Sequence, residues 1–113
     1  MAPDHTVSGK FDLLLTGATV LDPSQDLHDL VDVGVAGGRI AAVGHDLQGE
    51  ARQQIDLSGC LLTPGWIDIH AHVYWGATTW GILADPLCLA SGVTTIVDAG
   101  SPGWANFAGF NAW

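Results

Sequence analysis

The stretch that most constrains this chain is Pro64-Gly65-Trp66-Ile67-Asp68-Ile69-His70-Ala71-His72. It reads as a β-strand. Side chains on a strand alternate between faces, so Trp66, Asp68, His70 and His72 share one face and Ile67, Ile69 and Ala71 share the other. The second face is apolar and suits a covering layer of helices. On the first, two imidazoles stand roughly 7 Å apart along the strand. At that spacing both can swing onto one metal ion, and Asp68 is placed to orient a ligand or the adjoining backbone. A His-x-His pair alone is a weak signal. It gains weight from the Pro-Gly before it, the carboxylate on the same face and the apolar residues between.

The residues before this strand read as short strands and tight turns. Residues 1–10 are expected to be a mobile tail. Phe11 to Leu15 is an apolar strand, Thr16-Gly17 a turn, and Ala18 to Leu21 a continuation of the sheet. Asp22-Pro23-Ser24 is a turn cluster. In Leu30 to Ala36, Val31, Val33 and Val35 alternate with Asp32 and Gly34. Gly37-Gly38 then joins that strand to Arg39–Val43 as a hairpin, because both turn positions need φ > 0. Gly44 ends the hairpin, and Gln54 to Leu57 is one more short strand. His5, His28 and His45 have no ligand-type neighbour at metal spacing and read as surface or turn residues.

After the histidine strand comes a loop over residues 73–84, rich in aromatic and small side chains. Asp85-Pro86 reads as an N-cap followed by proline at the first helical position. The short helix would run from Pro86 to Ser91, with Gly92 as its stop. Val93 to Val97 is a β-branched strand that ends in Asp98-Ala99-Gly100-Ser101, and residues 102–113 begin a further loop and helix. Strand, helix, strand is one βαβ unit of parallel type.

The nonapeptide resembles the first barrel strand of the amidohydrolase superfamily, metal-dependent hydrolases that include dihydroorotase, dihydropyrimidinase and N-acyl deacetylases. The earlier segment is similar too, with its Leu-Leu-Leu opening and its Gly38-Arg39-Ile40-Ala41-Ala42-Val43-Gly44 hairpin. The resemblance implies an N-terminal β-sandwich segment over residues 1–62. Residues 63–113 would be the start of a (β/α)8 barrel, giving a mixed β and α/β chain. It assigns a divalent metal, zinc in most members and one or two ions, to His70 and His72, with Asp68 supporting their strand. In such a barrel the loops after the strands form the active-site face. Tyr74, Trp75, Asp98 and Ser101 are therefore candidate pocket residues, although packing accounts equally well for Tyr74 and Trp75, and a loop cap for Asp98.

A complete barrel of this kind takes about 250 residues, and catalytic zinc normally has three protein ligands with a fourth position for water. This chain has 113 residues, two of eight strands and two ligands. In the family a lysine, two further histidines and an aspartate come from later strands. The only lysine here, Lys10, lies in the N-terminal segment and does not match. The chain is expected to be the N-terminal fragment of a longer hydrolase of amide or acyl-ester bonds, inactive by itself. Dihydroorotases carry an arginine two residues after the second histidine. Tyr74 stands there, which favours the amidohydrolase/deacetylase branch and leaves a dihydroorotase-type cyclic amidase or a non-catalytic scaffold as alternatives.

Bulk properties narrow the partners. Three basic residues against twelve acidic ones give a net charge of −9, which argues against nucleic acid, since phosphate binding needs clustered Lys and Arg. No signal peptide or membrane-spanning run is visible. Cys60 and Cys88 form neither a disulfide framework nor a CxxC pair and read as buried, inert thiols. A cytoplasmic protein acting on a small-molecule substrate is expected, with a homo-oligomeric parent.

Overall fold

The structure, a computed structural model, describes residues 9–112. The tail expected over residues 1–10 lies outside them except for Gly9 and Lys10, which belong to the first strand. The chain divides into two compact units between Pro64 and Gly65.

The first unit is a five-stranded sheet. β1 (Gly9–Asp22), β2 (Leu27–Ala36), β3 (Arg39–Gly44) and β4 (Gly49–Asp56) lie in the order β3-β2-β1-β4, and β5 (Leu61–Leu62) also pairs with β1. β2 is antiparallel to β1 and β3, whereas β4 and β5 run parallel to β1. The Gly37-Gly38 hairpin forms as its sequence predicts, with φ of 57° and 72°.

Three expectations are corrected here. Thr16-Gly17 is no turn. β1 runs through it as one 14-residue strand, and the extra residue is absorbed as a bulge where pairing shifts from Leu15↔Val33 to Ala18↔Val31. Gly17 takes φ 73°, and its N–H donates to the Asp32 carboxylate opposite (3.1 Å), which also accepts from Leu47 N (3.1 Å). The bulge splits β1 between two partners, with β4 along residues 9–16 and β5 along Thr19 and Val20. The strand expected at Gln54 to Leu57 begins five residues earlier, at Gly49. Finally, Cys60 is exposed and Cys88 half-buried, so neither is a buried thiol.

Leu14 and Leu15 are adjacent on a strand and so point to opposite faces of the sheet. Each joins a different apolar cluster. Leu14 packs with Phe11, Ala42 and Leu47, and Leu15 packs against Ala18, Val20, Val31 and Val33.

The second unit holds β6 (Trp66–Ala71), α1 (Ala84–Ser91), β7 (Val93–Asp98) and α2 (Phe107–Ala112). β6 and β7 pair in parallel, so β6-α1-β7 is the expected βαβ unit. Gly92 ends α1 in the left-handed region at φ 73°, its N–H returning to Cys88 O (3.0 Å). The start of α1 differs from expectation. Leu83 is the N-cap and supplies no side-chain bond, while Asp85 sits inside the first turn. A carboxylate there is favoured by the helix dipole without capping the end.

Candidate metal centre

β6 ends at Ala71, so His70 stands on the strand and His72 one residue past it. Two backbone bonds and one to a side chain anchor this exit. Ala71 O accepts from Ala99 N (2.8 Å), His72 O accepts from Ile82 N (2.9 Å), and Val73 N donates to the Asp98 carboxylate (2.9 Å). The end of β6 is thereby tied to the end of β7 and to the loop after it.

The two imidazoles come together. Their centroids are 5.8 Å apart, edge to face. Two imidazoles sharing one ion at Zn–N of about 2.0–2.1 Å reach such a separation with small side-chain rotations. His72 also meets Trp80 edge-on at 6.1 Å. Sequence reasoning placed Trp80 only in a loop; its proximity depends on how residues 73–83 fold back, a non-local result.

Asp68 accepts from His70 N at 2.9 Å. It therefore braces the backbone that carries the first histidine. Ile67 and Ile69, on the other face, are 61% and 76% exposed, and Ala71 alone is buried there. One neighbouring strand and one helix do not cover that face within this unit.

Asp98 and Ser101 join the histidines. His72 Nδ1 lies 3.0 Å from Ser101 Oγ. Partial burial pushes the Asp98 carboxyl up, but bonds donated by Val73 N, by the Ser101 backbone and hydroxyl, and by Gly100 N outweigh that and hold it down, at about 2. Asp98 is thus an ionised knot between two loops. Tyr74 packs edge-on against Phe110 of α2 at 5.2 Å, and Trp75 is exposed.

The residues present fit half of a metal site. No hydrogen bond to the His70 ring or to Nε2 of His72 is formed among the described residues, so each imidazole keeps a nitrogen available. No group of three or more His, Cys, Asp or Glu placed to hold an ion occurs among the described residues. None of their helices is long and apolar enough to cross a membrane.

No protein-family model matches the chain. A deacetylase of Agrobacterium fabrum is 46% identical over 84 residues, which cover 73% of this chain and 21% of the deacetylase. A solved dihydroorotase superposes with a TM-score of 0.72 at 37% identity, covering 89% of this chain and 27% of that one. The N-acyl-D-glutamate deacylase of Bordetella bronchiseptica, solved with zinc and a phosphonate mimic of the tetrahedral intermediate, superposes with a TM-score of 0.61 at 32% identity over 78% of this chain and 18% of the deacylase. The chain therefore spans about a fifth of the curated relative it matches.

Proposed function

Because the chain belongs to the amidohydrolase superfamily, we propose that it is the N-terminal part of a metal-dependent hydrolase that cleaves an amide or acyl-ester bond of a small molecule. The observation that carries this reading is the convergence of His70 and His72 at the exit of β6, with the His70 ring and Nε2 of His72 free to ligate. In this reading residues 63–113 open a (β/α)8 barrel and residues 1–62 are a β-sandwich segment. Later strands supply the remaining ligands and the proton-handling group. The protein is cytoplasmic and its full-length form oligomeric.

His70 and His72 would hold the ion, zinc being the first choice because imidazole suits it and the related deacylase was solved with zinc. When bound, such an ion polarises a carbonyl and lowers the pKa of a coordinated water to near neutrality. The chain's own residues do the placing. Asp68 braces the His70 backbone, and Asp98 ties the loop after His72 to the loop after β7. Tyr74 in place of an arginine supports an N-acyl or acyl-ester substrate over dihydroorotate, because no cation at that position pairs with a substrate carboxylate.

The test is metal content and hydrolysis by the full-length protein on a panel of N-acyl amino acids and acyl esters. Metal-dependent turnover that falls at least 100-fold in His70→Ala and in His72→Ala is expected. Turnover unaffected by chelation and by both substitutions would exclude the reading.

A further inference from the structure

The loop that follows His72 returns to it. Ile82 N donates to His72 O (2.9 Å), which closes the loop at its base. Within it the chain is held against itself. Trp75 N donates to Val73 O (2.9 Å) and Ala77 N to Tyr74 O (3.2 Å), with Gly76 at φ 79°. The loop has no room for a side chain at residue 81, because a Cβ on Gly81 would stand 2.5 Å from Tyr74 O and 3.0 Å from Thr78 Oγ1. Trp80 is the residue just before that close approach. Its indole meets the His72 imidazole edge to face, with centroids 6.1 Å apart.

Exposure does not single Trp80 out. Trp66, Trp75 and Trp104 are open as well, and scattered exposed apolar side chains are ordinary. Position does. Trp80 touches a candidate metal ligand and still leaves 62% of its surface open. A substrate bond presented to His70 and His72 is thus flanked on this side by an open indole. Charge narrows what the indole takes. Residues 53–113 hold no Lys or Arg, and apart from histidines the ionisable acidic or basic side chains of residues 65–113 are Asp68, Asp85, Asp98, Tyr74 and Cys88. A substrate carboxylate would meet no cation from these residues. A cationic group would suit the indole face, but a divalent ion on the histidines would repel it. A neutral ring meets neither obstacle and packs on an indole offset or edge-on.

We propose that Trp80 is a specificity residue, and that the substrate carries a neutral aromatic group beside its scissile amide or ester bond, packed on the Trp80 indole. The substrate half rests on the hydrolase reading above. The affinity of Trp80 for a neutral aromatic amide is measurable without it.

5-Fluorotryptophan in the metal-free full-length protein gives Trp80 its own 19F signal, assigned by its loss in Trp80→Phe. Benzamide is expected to shift that signal and acetamide to leave it in place. Turnover by the metal-loaded protein is the second arm. N-ethylbenzamide or N-benzylacetamide is expected to show a KM roughly tenfold below that of N-ethylacetamide. The effect falls on KM because packing away from the reacting atoms binds ground state and transition state alike. Trp80→Ala is expected to abolish the preference and Trp80→Phe to keep most of it. An unshifted Trp80 signal, equal shifts with the two amides, no aromatic preference in the wild type, or a preference that survives Trp80→Ala each overturns the proposal. Should Trp80→Ala fail to fold, the 19F shifts and the wild-type KM values still decide. If no amide or ester is hydrolysed with any metal, the hydrolase reading fails, while the 19F signal decides the aromatic subsite independently.

Discussion

At the scale of single residues, the site is organised more by its acceptors than by its histidines. Asp98 accepts from Val73, Gly100 and Ser101, and loses those bonds when protonated. Its folded pKa is about 2, below the ordinary carboxylate value of about 3.9. A depressed folded value contributes stability that is complete above the unfolded pKa and lost as pH falls through the folded one. The window is therefore about pH 4 down to pH 2. Amide exchange at Val73, Gly100 and Ser101, corrected for intrinsic rates, should accelerate across that window. In Asp98→Asn it should already be fast at pH 5 and change little below it. A wild-type profile flat from pH 4 to 2 would show that the carboxylate does not hold these loops. Asp98 and Ser101 were legible in the sequence only as residues at a strand exit. The contact of Ser101 with His72 was not, because a contact across 29 residues leaves no mark on local periodicity.

At the scale of elements, the agreement between sequence and structure follows how local each signal is. The β2–β3 hairpin and the end of α1 rest on glycines at positive φ, and both were legible. Thr16-Gly17 was misread because a glycine at positive φ serves a turn and a bulge equally well. The Asp32 carboxylate, fifteen residues away, makes it a bulge. The start of β4 was missed because Gly49-Glu50-Ala51-Arg52-Gln53 is a mostly exposed edge strand with no apolar alternation. Asp85-Pro86 looked like a cap, yet the helix begins at Ala84. One element-level contact is sharp enough to test. A Cβ at Gly34 would lie 2.5 Å from the Phe11 ring, and Phe11 is 4% exposed, inside the core. Gly34→Ala should therefore destabilise the first unit by about 1–3 kcal/mol through overpacking. Phe11→Leu alone should also destabilise it, by about 1 kcal/mol. The double variant should be more stable than the sum of the two predicts, because the smaller side chain gives the new methyl room. Urea denaturation of the four proteins measures this, and strict additivity would mean that the ring and the glycine do not touch.

At the scale of the whole molecule, the two units are stabilised very unequally. Phe11, Leu14, Ala18, Val20, Val31, Val33, Ala42 and Leu47 form the buried apolar core of the first, whereas Ala71 is the one buried apolar residue described in the second. In the second unit Trp66, Ile67, Ile69, Leu89 and Trp104 are all more than half exposed. Apolar burial stabilises at roughly 25 cal/mol per Å2, so a unit with so little of it has small resistance to opening. A two-stranded sheet is also marginal unless further strands or helices cover it. Native-state hydrogen exchange on the 113-residue chain should therefore divide at Pro64. Amides of paired β1 and β2 residues such as Leu15 and Val33 should be protected on the order of 100-fold more than those of β6 and β7. Protection of β6 and β7 should rise with protein concentration if exposed apolar faces associate, and stay low if they do not; the histidine pair inherits whichever stability its strand has. Equal protection in both units at low concentration would overturn the argument. It would mean that the parallel β6-α1-β7 unit holds His70 and His72 in place without further covering, and that the histidine pair is rigid on its own.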